Sequence, residues 1–194
     1  MNLNALLSKK KAAILQRWFD LIVNTYPADA SQFLKIKKNP FTNPVGHAVL
    51  QGIEGILNGL LKETASEKVS IFLDNIIRIR AVQDFTASEA VIFIFYLKKA
   101  IREELEAEIR EKRLYEELLA LESRIDALSL QSFDIFMKCR EKIYDLKATE
   151  LRDRTIRALK RANLVSEVNA GESDTKDVNN VDNSNNIKQT KEVN

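Results

Sequence analysis

The chain has 194 residues, of which 45% are hydrophobic and 30% are charged, and its formal net charge is +2. This length fits one ordinary domain with an appendage, and the hydrophobic content is sufficient for a core. The nearly balanced charge argues against a nucleic-acid-binding protein, which usually carries a basic excess. We therefore expect one globular domain that binds no nucleic acid.

Cysteine usage and hydropathy indicate the compartment. Cys139 is the only cysteine, which excludes an intramolecular disulfide and a cysteine-rich zinc site and favours a reducing compartment. The most apolar stretch, residues 91–97, is far shorter than the roughly 20 residues that cross a bilayer. The N-terminal residues also lack the apolar run of a signal peptide. A cytoplasmic protein without a transmembrane segment is expected.

Apolar residues recur every three or four positions along most of the chain, which predicts an all-α fold. A first helix is predicted over residues 4–25, ending at a Tyr-Pro pair because the residue before proline avoids helical dihedral angles. A short turn of helix follows from Ser31. Asn43 has the character of a helix cap and Pro44 that of a first helical residue. The next helix should therefore run over residues 44–62.

Four of the five glycines fall in that helix, although each interior glycine costs about 1 kcal/mol relative to alanine. Gly52, Gly55 and Gly59 lie within about one helical face. This clustering predicts that a neighbouring helix packs closely there, and a ligand cleft is the alternative. The predicted close-packing segment comprises Asn43, Pro44, Gly46, Gly52, Gly55 and Gly59.

The remaining sequence predicts three more helices. The first covers about residues 66–80. Thr86 and Glu89 have the spacing of a capping box, so another helix should begin just after Thr86. Residues 102–161 contain neither glycine nor proline, which predicts long helical structure with one interruption at about residues 108–114. The expected architecture is a bundle of about five helices, of which the last is long.

Apolar residues of the long helix recur at heptad spacing among charges of both signs. They extend beyond what one small bundle covers, so a second helix is needed to bury them. This pattern predicts a homodimer with a coiled-coil contact. The predicted dimer seam comprises Leu121, Ile125, Leu128, Ile135, Cys139, Ile143 and Leu146.

The composition changes after Leu164 to asparagine, aspartate, serine, lysine and valine, without any aromatic residue. Such a segment cannot bury enough apolar surface to offset the entropy of ordering. We therefore expect a folded domain over residues 1–164 and a disordered polar tail over residues 165–194.

Few residues suit catalysis or metal binding. His47 is the only histidine, which excludes multi-histidine metal sites. It could be a haem ligand or a pH-sensitive group, but its place at a helix start favours a partly exposed residue without such a role. Cys139 could be a redox sensor, but its place on an apolar stripe favours an inert core residue. We expect no enzyme activity, no metal and no cofactor, haem included.

Two segments place charged groups directly beside apolar ones, residues 78–85 and residues 139–144. One interpretation is a set of interhelical ion pairs and hydrogen bonds that joins the two helices. The other is the polar lining of a signal site. The candidate cluster comprises Arg78, Arg80, Gln83, Asp84, Cys139, Arg140 and Glu141.

Several strings occur together in this chain: Trp18 with Tyr26-Pro27, residues 39–46, residues 78–85 and residues 139–144. In this order they resemble the RsbRD-type N-terminal domain family. Its members are N-terminal modules of RsbT co-antagonist proteins of the bacterial stressosome, similar to globin-like helical sensor domains that lack haem. The resemblance covers about residues 5–160 and implies a globin-like helical module for sensing or dimerisation.

Two functions remain open from the sequence. The first is a haem-free sensor or regulatory module that dimerises through helices and signals by repositioning them. The second is a structural accessory protein that docks on a larger complex without sensing a ligand. The resemblance also suggests the second, because stand-alone members of the family look like accessory proteins encoded near anaerobic respiratory complexes.

Overall fold

The computed structural model describes residues 2–36, 41–62, 66–83, 85–162 and 164. These residues form seven α-helices and no strand. The all-α fold and the long C-terminal helix are thereby confirmed. The helices are α1 (Leu3–Lys9), α2 (Lys11–Val23), α3 (Ala28–Ile36), α4 (Pro44–Lys62), α5 (Ser66–Val82), α6 (Ala87–Lys112) and α7 (Tyr115–Arg161).

The first predicted helix is two helices in the structure, α1 and α2, which meet at Lys10. Lys10 leaves the helical conformation, with φ −99° and ψ 14°. Its Nζ donates to the carbonyl oxygen of Glu104 at 2.6 Å and pairs with the carboxylate of Glu108 at 2.7 Å. Both partners belong to α6, far away in the sequence, so hydrophobic periodicity could not indicate this break. The prediction of one helix over residues 4–25 is therefore wrong.

Most other helix ends follow local signals. The Oδ1 of Asn43 accepts a hydrogen bond from the amide of Gly46 at 2.8 Å. The helix α4 begins at Pro44, directly after Asn43, as predicted. Thr86 and Glu89 form both hydrogen bonds of a capping box at the start of α6. Arg113 takes the left-handed conformation, with φ 55°, and ends α6. The interruption expected at residues 108–114 is confirmed.

The face of α4 that carries three glycines packs directly against α5. A Cβ atom built at any of these glycines would overlap a side chain of α5. At Gly52 that atom would lie 2.6 Å from the Cδ1 of Ile76, closer than real Cβ contacts. The two helix backbones therefore approach at a distance that only glycine permits. The facing pairs are Gly52 with Ile76, Gly55 with Phe72 and Gly59 with Val69.

Trp18 connects α2 to α6 at the centre of the core. Its side chain is completely buried, and its indole Nε1 donates to the carbonyl oxygen of Phe93 at 2.6 Å. A buried indole N–H needs such an acceptor, because leaving it unpaired costs about 1–3 kcal/mol. The bond therefore fixes the position of α2 along α6, next to the ring of Phe93.

The chain divides into two compact units, Met1–Leu151 and Arg152–Asn194. The core described above belongs to the first unit. The described part of the second unit continues as helix to Arg161, with mostly exposed side chains. The polar tail predicted over residues 165–194 lies outside the described residues, and its disorder stays a prediction.

We predict that replacing Gly55 by leucine lowers the free energy of unfolding by about 1–3 kcal/mol. The added side chain would meet the ring of Phe72, so α5 would have to move away from α4. Chemical denaturation of the purified protein measures this loss. Gln51→Leu is the matched control, since Gln51 is an exposed position of the same helix. Equal stability of Gly55→Leu and the parent protein would contradict the close approach.

Candidate functional site

The buried stripe of α5 ends in a charged side chain. Leu73, Ile76 and Ile77 are completely buried, and Arg80 continues their stripe with an exposed fraction of 0%. The Nη1 of Arg80 donates to the carbonyl oxygen of Glu89 at 2.7 Å. Its Nη2 donates to the hydroxyl of Thr25 at 3.1 Å. Its Nε is buried and has no hydrogen-bond partner among the described residues.

Three aromatic rings surround the guanidinium of Arg80. Its Cζ lies 5.5 Å from the ring centre of Tyr26, 4.8 Å from that of Phe85 and 5.4 Å from that of Phe93. Tyr26 and Phe85 also meet edge to face at 5.3 Å. Cation–π contacts stabilise a desolvated cation by about 2 kcal/mol or more each. The rings therefore offset part of the cost of burying this charge, but they supply no opposite charge.

No described carboxylate forms an ion pair with Arg80. The nearby carboxylate of Glu89 is held by the capping box, with hydrogen bonds from the Thr86 amide at 2.9 Å and the Thr86 hydroxyl at 2.8 Å. These bonds from Thr86 hold the pKa of Glu89 below its ordinary value. Burial lowers the pKa of Arg80, but arginine remains charged in proteins. The site therefore holds a cation that no described carboxylate contacts.

Glu122 is a buried anion in the same fold, and it has a cationic partner. This residue is 6% exposed, and its two carboxylate oxygens accept from the Nε and Nη2 of Arg102 at 2.6 Å and 2.7 Å. That bidentate pair is the usual arrangement for a buried charge. Arg80 departs from it, which singles out its surroundings as the most unusual electrostatic environment among the described residues.

A small cavity adjoins this environment. It has a volume of about 170 Å³, and its lining includes Gln83 and Tyr26, whose ring contacts the guanidinium of Arg80. The hydroxyl of Tyr26 donates to the Oε1 of Gln83 at 3.4 Å, a long hydrogen bond. The remaining walls are mainly apolar and comprise Ala30, Phe33, Leu34, Asn43, Pro44 and Val45.

The last turn of α5 also contacts α7. The Nη1 of Arg140 donates to the carbonyl oxygen of Ala81 at 3.1 Å, and its Nη2 donates to the hydroxyl of Tyr144 at 2.9 Å. A cation at a helix C-terminus satisfies free carbonyl groups and favours the helix dipole. Arg140 therefore joins α7 to the end of α5. The contact lies at Ala81, one residue after Arg80.

The candidate cluster from the sequence divides between these two places. Arg80 and Gln83 lie beside Tyr26, whereas Arg140 binds the end of α5. Arg78 pairs with Asp74 near Cys139, which is half-buried. Burial raises the pKa of the Cys139 thiol, which disfavours a reactive thiolate. Glu141 is exposed, and Asp84 lies outside the described residues.

The residues that complete the Arg80 environment were missed in the sequence. Thr25, Glu89 and Phe93 come from segments before and after α5, and no local pattern indicates that they meet. One signal was available. Arg80 follows Leu73, Ile76 and Ile77 at helical spacing, so the periodicity already placed it on the buried face.

The residues of the predicted dimer seam differ in their exposure. Leu121 is 6% exposed and Ile125 is 0% exposed within the single chain. Leu128, Ile135 and Cys139 are partly buried against the same core. The chain's own helices therefore cover the first part of the seam, and a dimer contact along it stays a prediction. At its end Ile143 is half-buried, and Leu146 is exposed.

A different side of α7 is exposed and apolar. Leu130, Met137 and Tyr144 follow one another at intervals of seven residues, with exposed fractions of 72%, 39% and 56%. Phe133 lies between the first two on the same side. Leu130 and Phe133 border an open apolar groove of about 820 Å³ together with residues of α6 that include Ile92 and Phe95. We call this surface the α6–α7 apolar face, and it consists of Ile92, Phe95, Leu130, Phe133, Met137 and Tyr144.

His47, the only histidine, is half-buried near the start of α4. It borders a separate cavity of about 390 Å³ with Asp20 and Lys35 among its lining residues. The described residues contain no cluster of three or more histidine, cysteine or acidic side chains placed to hold a metal ion. No stretch of the described helices combines the length and the apolarity that crossing a bilayer requires.

A model of the family described as the RsbT co-antagonist protein rsbRD N-terminal domain matches residues 12–151. The chain belongs to this family. The match confirms the resemblance stated from the sequence, and it ends at the same residue as the first compact unit. Neither a curated protein nor a solved structure matches the chain. The RsbRD N-terminal domain family is regulatory rather than catalytic, and both Arg80 and Arg140 lie within the matched residues.

We predict that Thr25→Val lowers the free energy of unfolding of this RsbRD N-terminal domain by about 1–3 kcal/mol. Valine has nearly the shape of threonine but removes the oxygen that accepts from Arg80. Thr25→Ser keeps that oxygen and is the matched control. Denaturant titrations of both variants provide the comparison. Unchanged stability in Thr25→Val would contradict the assigned hydrogen bond.

Proposed function

We propose that this RsbRD N-terminal domain is a cytoplasmic sensory and regulatory module that works as a homodimer. One observation carries the proposal: two consecutive residues of α5 belong to the two features that such a module needs, a sensory site and a connection to an interaction surface. Arg80 lies in the buried charged site, and the carbonyl of Ala81 binds Arg140 of α7. A change at the site therefore has a short physical connection to the surface of α7.

The α6–α7 apolar face is the proposed dimer contact. Large exposed apolar patches on a folded domain mark interaction surfaces. The seven-residue spacing of Leu130, Met137 and Tyr144 favours a second copy of the same helix, because two helices that share this repeat bury it along a common seam. Phe133 and the nearby α6 residues widen the contact beyond a single stripe.

Tyr144 belongs both to this face and to the connection from α5. Its hydroxyl accepts from Arg140, whose guanidinium lies 5.0 Å from the centre of the Tyr144 ring. If α5 shifts, Arg140 has to follow the Ala81 carbonyl or release it, and Tyr144 changes its surroundings in either case. Packed helices respond to such a change by moving between discrete arrangements. The dimer would thereby convert a local event into a rearranged surface.

A structural accessory protein is the second candidate function. The groove of about 820 Å³ along the α6–α7 apolar face favours it, because an amphipathic helix of another protein would fit the same surface. This function requires neither self-association nor a ligand. A chain that stays monomeric at high concentration would favour it over the homodimer.

We predict that light scattering gives the unmodified protein twice its chain mass of 22.2 kDa at micromolar concentration. The double variant Leu130→Glu, Met137→Glu should be a folded monomer, because it places like charges in the contact. Leu146→Glu should remain a dimer. Leu146 is also exposed, but at about 100° per residue it lies on the opposite side of α7 from Met137.

Two results would contradict this proposal. One is a monomeric unmodified protein. The other is a double variant that remains dimeric while Leu146→Glu dissociates, since that would place the contact at the end of the seam predicted from the sequence. Circular dichroism of each variant establishes that the helices are retained.

A further inference from the structure

We propose that this domain binds a short-chain organic monocarboxylate, with the carboxylate on the guanidinium of Arg80 and the alkyl chain in the adjoining cavity. This inference rests on the proposed function, because it names the class of ligand that the sensory site would recognise. It is carried by two observations, a completely buried guanidinium with an unpaired Nε and an apolar cavity lined by Tyr26, whose ring contacts that guanidinium.

The charge of Arg80 defines what it would bind. A buried ion is costly unless an opposite charge and hydrogen bonds compensate for its lost hydration. Arg80 already has neutral acceptors in the Thr25 hydroxyl and the Glu89 carbonyl oxygen, while the Glu89 carboxylate acts on its charge without forming an ion pair. The unpaired Nε and a neighbouring Nη form the fork that binds both oxygens of a carboxylate. A carboxylate would therefore supply both the missing charge and the missing acceptor.

The cavity defines the rest of the ligand. Its volume of about 170 Å³ holds several waters or a short alkyl chain. Phe33, Leu34 and Val45 provide apolar contacts. The side chain of Asn43 is already used, since it accepts from the Gly46 amide and donates to the Leu34 carbonyl oxygen. An apolar body therefore fits these walls better than a second polar group.

A single negative charge is expected. Among the described residues the lining of the cavity includes no lysine or arginine, so Arg80 is the one described cation on this side. A dianion such as a phosphate monoester or a dicarboxylate would leave one charge buried without compensation. A neutral alcohol would fill the cavity but would leave the guanidinium as it is.

Tyr26 and Gln83 line the cavity, and the Tyr26 ring also contacts Arg80. Their hydrogen bond is long, at 3.4 Å, and Gln83 is the first residue after α5. A carboxylate that enters from the cavity would replace this contact and could accept from the Tyr26 hydroxyl as well as from Arg80. Binding would then act on the last turn of α5, where Ala81 contacts Arg140.

Sodium hexanoate is the probe, tested by thermal unfolding of the full chain. At about a hundredfold excess over the dissociation constant, we expect the melting temperature to rise by about 5 °C. Hexan-1-ol and sodium chloride at equal concentrations should give no comparable rise. An equal rise with hexan-1-ol would reduce the site to an apolar cavity, and an equal rise with chloride would reduce it to an inorganic anion site. Either result would overturn the proposal.

Fluorescence provides a second measurement. Trp18 is the only tryptophan, and it binds the carbonyl of Phe93, whose ring contacts Arg80. Hexanoate should therefore change its emission with the same dissociation constant as the thermal shift. Emission that stays constant while the melting temperature rises would place the ligand elsewhere and contradict the proposal.

Two variants locate the site. Arg80→Met should lose the response to hexanoate, because the carboxylate loses its cation. Ala30→Phe should lose it by filling the cavity, and this variant keeps the test valid if Arg80→Met fails to fold. Ala28→Phe, at an exposed position of the same helix, should respond like the parent protein. An unchanged response in Ala30→Phe would overturn the proposal.

The hexanoate experiments test the ligand proposal independently of the homodimer proposal. A dimeric protein that does not respond to hexanoate contradicts the ligand alone. A monomeric protein that binds hexanoate contradicts the homodimer alone.

Discussion

A buried positive charge that no described carboxylate contacts is the constraint on which this fold depends. Arginine stays ionised in a protein interior, so the surrounding segments have to supply neutral acceptors and aromatic rings. Thr25 follows α2, Glu89 lies in the first turn of α6, and Phe93 lies one turn later. These elements therefore converge on α5 because one cation needs all of them. An anion that binds to Arg80 or leaves it would therefore change contacts of α2, α5 and α6 together.

The glycine face of α4 sets the position of that charge. Ile76 lies on the same stripe of α5 as Arg80, and it packs directly onto Gly52. The depth of α5 in the bundle is therefore fixed by the close approach to α4. Burial of the guanidinium follows from this approach, because residues on one stripe of a rigid helix move together. The contact between α4 and α5 thus determines both the packing of Ile76 on Gly52 and the burial of the Arg80 charge.

The long helix α7 illustrates how tertiary structure selects among several apolar stripes. Counting heptads in its sequence led to the stripe that contains Leu121 and Ile125, which the structure buries within the single chain. Another stripe, with Leu130 and Met137, has the same seven-residue spacing and is exposed. Both are compatible with a coiled coil by periodicity alone. Only the positions of the other helices decide which stripe is covered, because covering requires contacts between distant segments.

The sequence by itself determined the all-α class, the start of α4 at Asn43 and Pro44, the capping box at Thr86 and the interruption before α7. These features depend on local periodicity and on hydrogen bonds within a few residues. The family, too, was recognisable from short strings. Tertiary structure alone decided that Lys10 breaks the first helix, that Thr25 and three aromatic rings surround Arg80, and that Arg140 binds the end of α5. Each of these joins residues far apart in the chain, and their meeting is fixed by packing and by the pairing of buried polar groups, which no local pattern encodes.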